Sequence, residues 1–278
     1  MTRGGCMPRE INKDTLLCMS LAGRPGNFGT RFHNFLYDEL NLNFIYKAFT
    51  TSDLQAAIGG VRALGIRGCA VSMPFKEACI PLLDEMDESA SAIQSVNTIV
   101  NTDGRLRAYN TDYIAIAQLL DTHRVSRDSV FALRGSGGMA KAVACALRDA
   151  GFPSGHIIAR NETAGRQLAQ TCGYEWKSDV SGIEPRLIIN VTPIGMAGGP
   201  ESGELAFAPE VIDRAETVFD VVALPPETPL IRYARSKNKK VITGAEVIAL
   251  QALEQFVLYT GVRPDDELVR RAAAHARS

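Results

Sequence analysis

The chain has 278 residues, 46% hydrophobic and 22% charged, with a formal net charge of −1, long enough to bury the cores of two domains. No basic run or stripe recruits a phosphate backbone or an anionic lipid surface, so nucleic acid and membrane are excluded as expected partners. No uninterrupted apolar stretch reaches spanning length and the amino terminus lacks the apolar core of a signal peptide, which predicts a cytoplasmic protein, monomer or homodimer.

In chain order, β-rich runs at 16–19, 44–48, 68–71 and 96–100 are predicted strands. Helical periodicity separates them, first at Phe32, Phe35, Leu36 and Leu40, then at Leu54, Ala57, Ile58 and Val61. A second series follows with strands at 129–133, 156–159, 187–189, 218–222 and 240–242. The Gly/Pro-rich segment 195–209 is expected to be a surface loop. The stretch 245–259 predicts a helix, and Pro264 is placed at the first position of another, with acidic residues in its first turn. Strand–helix alternation throughout predicts an α/β fold with parallel sheets and crossover helices. The expected domains are a substrate domain at 1–112, a Rossmann-type dinucleotide-binding domain at 113–245, and C-terminal helices at 246–278 packing back on the first.

The six cysteines (Cys6, Cys18, Cys69, Cys79, Cys145, Cys172) include no C-x-x-C pair and are expected to be reduced packing residues. The four histidines show no ligand spacing, so no metal is expected.

Two short segments carry the chemistry: Val71-Ser72-Met73-Pro74-Phe75-Lys76-Glu77 and Tyr109-Asn110-Thr111-Asp112. They predict a lysine and a carboxylate sharing one cleft, a proton-handling pair in which the carboxylate orients the ammonium. Alone, Lys76 reads as a solvated surface lysine and Asp112 as a helix cap. Downstream, 130–134 is a strand, Gly135-Ser136-Gly137-Gly138 a glycine turn, and Met139-Ala140 the start of an apolar helix. Gly135 permits the turn, Gly137 lets backbone approach a pyrophosphate, and the helix N-terminus takes its charge. A glycine triplet by itself is weak evidence; between that strand and helix it favours a dinucleotide. The next strand ends at Arg160-Asn161-Glu162-Thr163-Ala164-Gly165-Arg166, where such folds read the adenosine ribose. Proton transfer beside a dinucleotide points to hydride chemistry on a hydroxyl or carbonyl.

With these motifs in view, the chain resembles the shikimate dehydrogenase family over nearly its full length. The family's N-V-T-x-P-x-K is met by Ala70-Val71-Ser72-Met73-Pro74-Phe75-Lys76, its A-V-N-T by Ser95-Val96-Asn97-Thr98, and its N-T-D by Asn110-Thr111-Asp112. Its N-x-T-x-x-G-M is met by Asn190-Val191-Thr192-Pro193-Ile194-Gly195-Met196, and its closing glycine and glutamine by Gly244 and Gln251. The resemblance implies Lys76 and Asp112 as the catalytic pair, with Ser72, Asn97 and Gln251 on substrate hydroxyls. It places Thr192 in the cofactor site and Gly244 near the nicotinamide.

The departures cluster on the substrate side. Two serines of the family's carboxylate-binding loop are missing from Gly23 to Asn34; one register puts Asn27 and Gly29 in their places, another Gly29 and Arg31. The family's asparagine before V-T is Ala70, and its tyrosine after the strand 218–222 is Ala223. Arg24 and Arg31, in the altered loop, are expected to supply carboxylate recognition instead. His33 is expected to be a satisfied structural histidine on an apolar helix face. At the ribose the family's N-R-T-x-x-R carries Glu162 for its first arginine. Arg160 and Arg166 flank that glutamate, so NADP is expected, with NAD possible, provided Glu162 turns outwards. The implied activity interconverts a ring hydroxyl and a ketone on shikimate or a shikimate-like hydroxy acid, slowly on shikimate itself. Quinate or an aminated analogue as substrate, and a nucleotide-binding sensor without turnover, are the alternatives.

Overall fold

The computed structural model describes residues 10–278. The chain divides into two compact units: one runs to Thr111 and resumes at Gln251 through Ser278, and the other is Asp112–Leu250.

The first unit contains β1 (Leu16–Leu21), α1 (Phe28–Glu39), β2 (Phe44–Phe49), α2 (Leu54–Ala63), β3 (Gly68–Val71), the short α3 (Phe75–Ala78), β4 (Glu85–Met86), α4 (Glu88–Ser91), β5 (Thr98–Thr102) and β6 (Arg105–Tyr109). Its sheet runs β2-β1-β3-β5-β6-β4. The expected parallel pairing holds for β1 with β2 and β3, but β5 pairs antiparallel with both β3 and β6. The strand placed at 96–100 begins instead at Thr98 and forms one arm of a hairpin. Its turn is Asp103-Gly104, both at positive φ, the two-residue type whose twist matches that of paired strands. Asn101 closes it by accepting from the Gly104 amide at 2.8 Å. Leu21, Val71, Val96, Ile99 and Leu106 form this unit's core with Ile58 and Val61 of α2.

The second unit begins one residue into α5 (Thr111–Thr122), and continues through β7 (Phe131–Arg134), α6 (Gly138–Asp149), β8 (Gly155–Ile158), α7 (Glu162–Cys172), β9 (Glu175–Lys177), β10 (Leu187–Asn190), α8 (Pro209–Arg214), β11 (Thr217–Asp220), α9 (Pro229–Ser236) and β12 (Lys240–Thr243). Every pair in its sheet, ordered β12-β11-β10-β7-β8-β9, is parallel. This is the doubly wound Rossmann order, with its crevice at the carboxyl ends of β7 and β10, where the order reverses. The segment 195–209 is not merely a surface loop: Ala206 and Phe207 are buried and join the core with Ile188, Ile212 and Leu230.

α10 (Gly244–Thr260) passes from the second unit back into the first, and α11 (Asp266–Arg277) packs on α1. Asp265 caps α11 by accepting from the Leu268 amide at 2.8 Å. Pro264 therefore stands outside the helix, ahead of its cap, rather than at the first helical position. Gly68 lets β3 lie against α10, since a Cβ there would come within 2.3 Å of the Tyr259 ring. The five cysteines among the described residues are free and buried, whereas Cys6 lies outside those residues. Among the described residues no helix is long and apolar enough to cross a membrane, and no group of side chains could hold a metal ion.

Candidate active site and dinucleotide cleft

In the first unit, β3 ends at Val71 and the chain turns through Ser72, whose carbonyl accepts from the Phe75 amide at 2.9 Å. That turn starts α3, so Lys76 sits half-buried in its first turn while Ser72 stays exposed. The Lys76 carbonyl accepts from the Val96 amide at 2.8 Å, and the Asn97 carbonyl from the Val71 amide at 2.7 Å. Two sequence-distant motifs are thereby stitched together through their backbones.

Asn97 is buried, and its Oδ1 is heavily used, accepting from the Thr111 amide at 2.8 Å, Thr111 Oγ1 at 3.1 Å and Thr98 Oγ1 at 2.8 Å. Its Nδ2 is buried without any partner. An idle buried amide donor costs about 1–3 kcal/mol and is a group equipped to receive an acceptor. Gln251 lies half-buried on α10. One turn on, the buried Gln255 donates to the Asn97 carbonyl at 3.3 Å and to Thr98 Oγ1 at 3.0 Å. The sequence reading missed Gln255; its signal was the i, i+4 spacing from Gln251, which sets both on one helix face. Asn110 is likewise an anchor: its side-chain amide donates to the Ser95 carbonyl at 2.9 Å and its backbone amide donates to Ser89 Oγ at 3.0 Å. These bonds fix where α5 begins. Asp112, in its first turn, is buried and is not the cap.

In the altered loop Arg24, Asn27 and Arg31 are all exposed. Asn27 precedes α1 without a side-chain capping bond, and a Cβ on Gly29 would be 3.4 Å from the Tyr46 hydroxyl. The hydroxyl that the sequence reading passed over is Thr30, whose Oγ1 is buried without a partner. His33 is structural and fully buried, with no ring nitrogen in well-formed hydrogen-bond geometry and only the Gln255 side chain close enough to interact. It stacks on Tyr46 with ring centroids 4.4 Å apart. Burial drives its pKa down to about 3, with the Gln255 amide opposing the shift only in part.

In the second unit, Gly135 has a φ of +126° and a Cβ there would lie 2.7 Å from Val191 Cγ2, so no other residue fits the turn. Gly137 caps α6 and Gly138 opens it, without any side-chain capping bond. A Cβ on either glycine would meet nothing within 4 Å. The first-turn amides, including those of Met139 and Ala140, have no partner within the helix and suit an anion. Gly244 packs tightly against the end of β11: a Cβ there would fall 2.4 Å from the Val221 and Val222 carbonyls.

A cavity of 370 Å³ opens beside the turn, lined among others by Arg134, Ser136, Arg160, Asn161, Thr192 and Glu201. Thr192 is fixed by Asn190, whose Oδ1 accepts from the Thr192 amide at 3.1 Å and from its Oγ1 at 2.6 Å. Asn190 is held in turn by the buried Asp220, which also accepts from Thr228 Oγ1 at 2.6 Å. Burial outweighs those bonds and raises the Asp220 carboxyl to about 6. Asn161 caps α7 through the Ala164 amide at 3.0 Å. Glu162 is exposed on the solvent side, where it holds Arg166 at 2.7 Å, and the Arg166 guanidinium lies 4.3 Å over the Trp176 ring. Neither Glu162 nor Arg166 lines the cavity. The open glycine cradle, the partnerless Arg134 Nε and the Rossmann order all fit a dinucleotide.

A family model described as the shikimate dehydrogenase substrate binding domain matches residues 28–99. A shikimate dehydrogenase-like protein of Haemophilus influenzae is 59% identical over 96% of this chain and 99% of its own. The NADP(+) shikimate dehydrogenase of Halothermothrix orenii is 34% identical over 84% of this chain and 86% of its own. The chain belongs to the shikimate dehydrogenase family.

Solved structures of that family agree with the fold. A shikimate 5-dehydrogenase-like protein superposes with a TM-score of 0.96 at 59% identity, covering 97% of this chain and all of its own. The Thermus thermophilus shikimate 5-dehydrogenase, solved with NADP(H) and shikimate, has a TM-score of 0.84 at 29% identity, over 94% of this chain and 99% of its own. The Corynebacterium glutamicum quinate dehydrogenase, solved with NAD, has a TM-score of 0.85 at 25% identity, over 94% of this chain and 98% of its own.

Proposed function

We propose that this protein is an NADP-dependent oxidoreductase that interconverts a ring hydroxyl and a ketone on shikimate or a shikimate-like hydroxy acid. The observation that carries the reading is Asn97. Family resemblance assigns it a substrate hydroxyl, and its buried Nδ2 has no partner within the protein while its Oδ1 is fully engaged. A buried donor left idle is costly, so this position suits an acceptor, and a ring hydroxyl is one.

Lys76 would take or relay the proton of the reacting hydroxyl, its backbone anchored to Val96, and Asp112 would orient the ammonium. Bound NADP would supply the hydride acceptor, held at Gly135–Ala140 with Thr192 beside it. Ser72 and Gln251 would hold further hydroxyls. In the altered loop the substrate carboxylate would meet Thr30 Oγ1 or the exposed Arg24 and Arg31. The family pattern is altered at three polar positions: the site of the serine pair, the asparagine replaced by Ala70 and the tyrosine replaced by Ala223. Turnover on shikimate should therefore be slow. Quinate remains the second reading, favoured by that same altered loop and by the likeness to the quinate dehydrogenase fold.

The test is to mix the protein with shikimate or quinate and with NADP+ or NAD+, and to follow reduced nicotinamide absorbance. Slow reduction of NADP+ with either acid supports the reading. Reduction with neither acid, at high protein concentration, leaves the sensor alternative in its place.

A further inference from the structure

We propose that Arg134, together with Arg160, reads the adenosine 2′-phosphate of the coenzyme, a task the family pattern gives to residues around Glu162 and Arg166. The inference rests on the cavity being the dinucleotide site.

Arg134 is the last residue of β7, immediately ahead of the glycine turn. A parallel-sheet strand end would ordinarily carry an apolar residue there. Arg134 is instead a half-buried cation. Its guanidinium lies 5.1 Å over the Phe207 ring, and its Nε is buried with no hydrogen-bond partner. Its register partner on β8 is Ile158; two residues further on, Arg160 enters the same cavity from the same strand ends. Burial, and then the neighbouring Arg160, hold the Arg134 pKa below the ordinary arginine value, with Asp179 and Glu201 opposing them only in part. A cation kept partly dry beside a second cation is unfavourable unless an anion joins them. In this fold the 2′-oxygen of the adenosine ribose is met just beyond the second strand, which is where Arg160 stands.

The rival cations are otherwise engaged, Arg166 by Glu162 and by Trp176. Two carboxylates share the cavity, Glu201 and Glu204. Glu201 holds Arg160 at 3.7 Å, a long contact to a side chain that is 82% exposed, so a phosphate dianion can displace it. Guanidinium binds phosphate through two parallel bonds, and Arg134 reaches the cavity from over the Phe207 ring.

The experiment is titration calorimetry of the full-length protein with NADP+, NAD+ and adenosine 2′,5′-bisphosphate. Arg134→Met and Arg160→Ala should each weaken NADP+ and the bisphosphate by about 10- to 100-fold, the range of a charge-assisted contact, with NAD+ changed less than about twofold. Arg134→Lys should recover part of the loss. Glu201→Gln, which releases Arg160, should tighten the bisphosphate, and Arg166→Ala should alter the NADP+ to NAD+ ratio little. Equal weakening of NAD+ and NADP+ by Arg134→Met would assign it to the diphosphate or the adenine and overturn the proposal, as would no weakening. If Arg134→Met does not fold, Arg160→Ala decides, because its side chain lies at the surface. If the unaltered protein binds neither dinucleotide, the dinucleotide reading itself falls; binding that Arg134 and Arg160 do not tune overturns only this assignment.

Discussion

Lys76 owes its place to backbone bonds, the Val96 amide on its carbonyl and the Ser72 turn ahead of it, so truncating its side chain removes the amine and little else. Lys76→Ala is expected to lower turnover by roughly two to four orders of magnitude with coenzyme affinity nearly unchanged, measured by steady-state kinetics beside a dinucleotide titration. Asp112→Asn should strike the same step, so the double variant should lose far less than the product of the two single losses. His33 offers a different kind of test. Its folded pKa of about 3 lies below the ordinary 6.5, so the unfolded chain binds the proton more readily. The stability this neutral ring contributes is complete above pH 6.5 and declines as pH falls from 6.5 towards 3, by up to ~1.4 kcal/mol per unit. His33→Leu should flatten the acid side of a plot of Tm against pH; an unchanged slope would show that His33 does not carry it.

At the scale of elements, what could be read from sequence followed from periodicity and what could not followed from single pairing events. Strands such as β3 and β10 were legible because short apolar runs bounded by glycine or polar residues have few other ways to be buried. The hairpin of β5 and β6 was signalled by Asp103-Gly104 and by the exposed–buried alternation from Arg105 to Ala108, whereas β5, buried on both faces through Asn101, shows no alternation to mark it. β9 is only three residues long and has no pattern to show. At the site, motifs located Lys76, Asn97 and Asp112, but pairing among side chains leaves no mark on composition. The capture of Arg166 by Glu162, the partnerless Thr30 and the support that Gln255 lends Asn97 are all of that kind. The glycine turn was legible for a steric reason that can be tested. Gly135→Ala would force a Cβ to 2.7 Å from Val191 at a φ of +126°. It should cost about 2 kcal/mol or more of stability and abolish dinucleotide binding, whereas Gly137→Ala, whose Cβ meets open space, should cost far less stability. Comparable melting temperatures for the two variants would refute the steric account.

Over the whole molecule, the two units carry opposite responses to acid. Asp220, in the second unit, has its carboxyl raised to about 6 from 3.8, so the folded state binds the proton more tightly than the unfolded one. Its contribution is fully present below pH 3.8 and is lost as pH rises through 6, a difference of about 3 kcal/mol. His33, in the first unit, works in the other direction. Asp220→Asn should therefore gain on the unaltered protein as pH rises from 4 to 6; hydrogen exchange in β11, followed at each pH, would register it, and a gain independent of pH would contradict the assigned titration. For the complete enzyme, three altered polar positions at ~1–2 kcal/mol each imply a shikimate rate on the order of a hundredfold to ten-thousandfold below that of an efficient family member. A comparable kcat/KM would mean that the altered loop compensates in full. Finally, the chain has one tryptophan, and Trp176 sits under Arg166 with its indole nitrogen on the Ala159 carbonyl at 3.2 Å. Ser178, two residues along, lines the cavity. The protein thus carries its own optical reporter: all indole emission originates beside the cavity proposed for the coenzyme, and a fluorescence titration of the unlabelled chain would follow coenzyme arrival there without interference from any second fluorophore of that type.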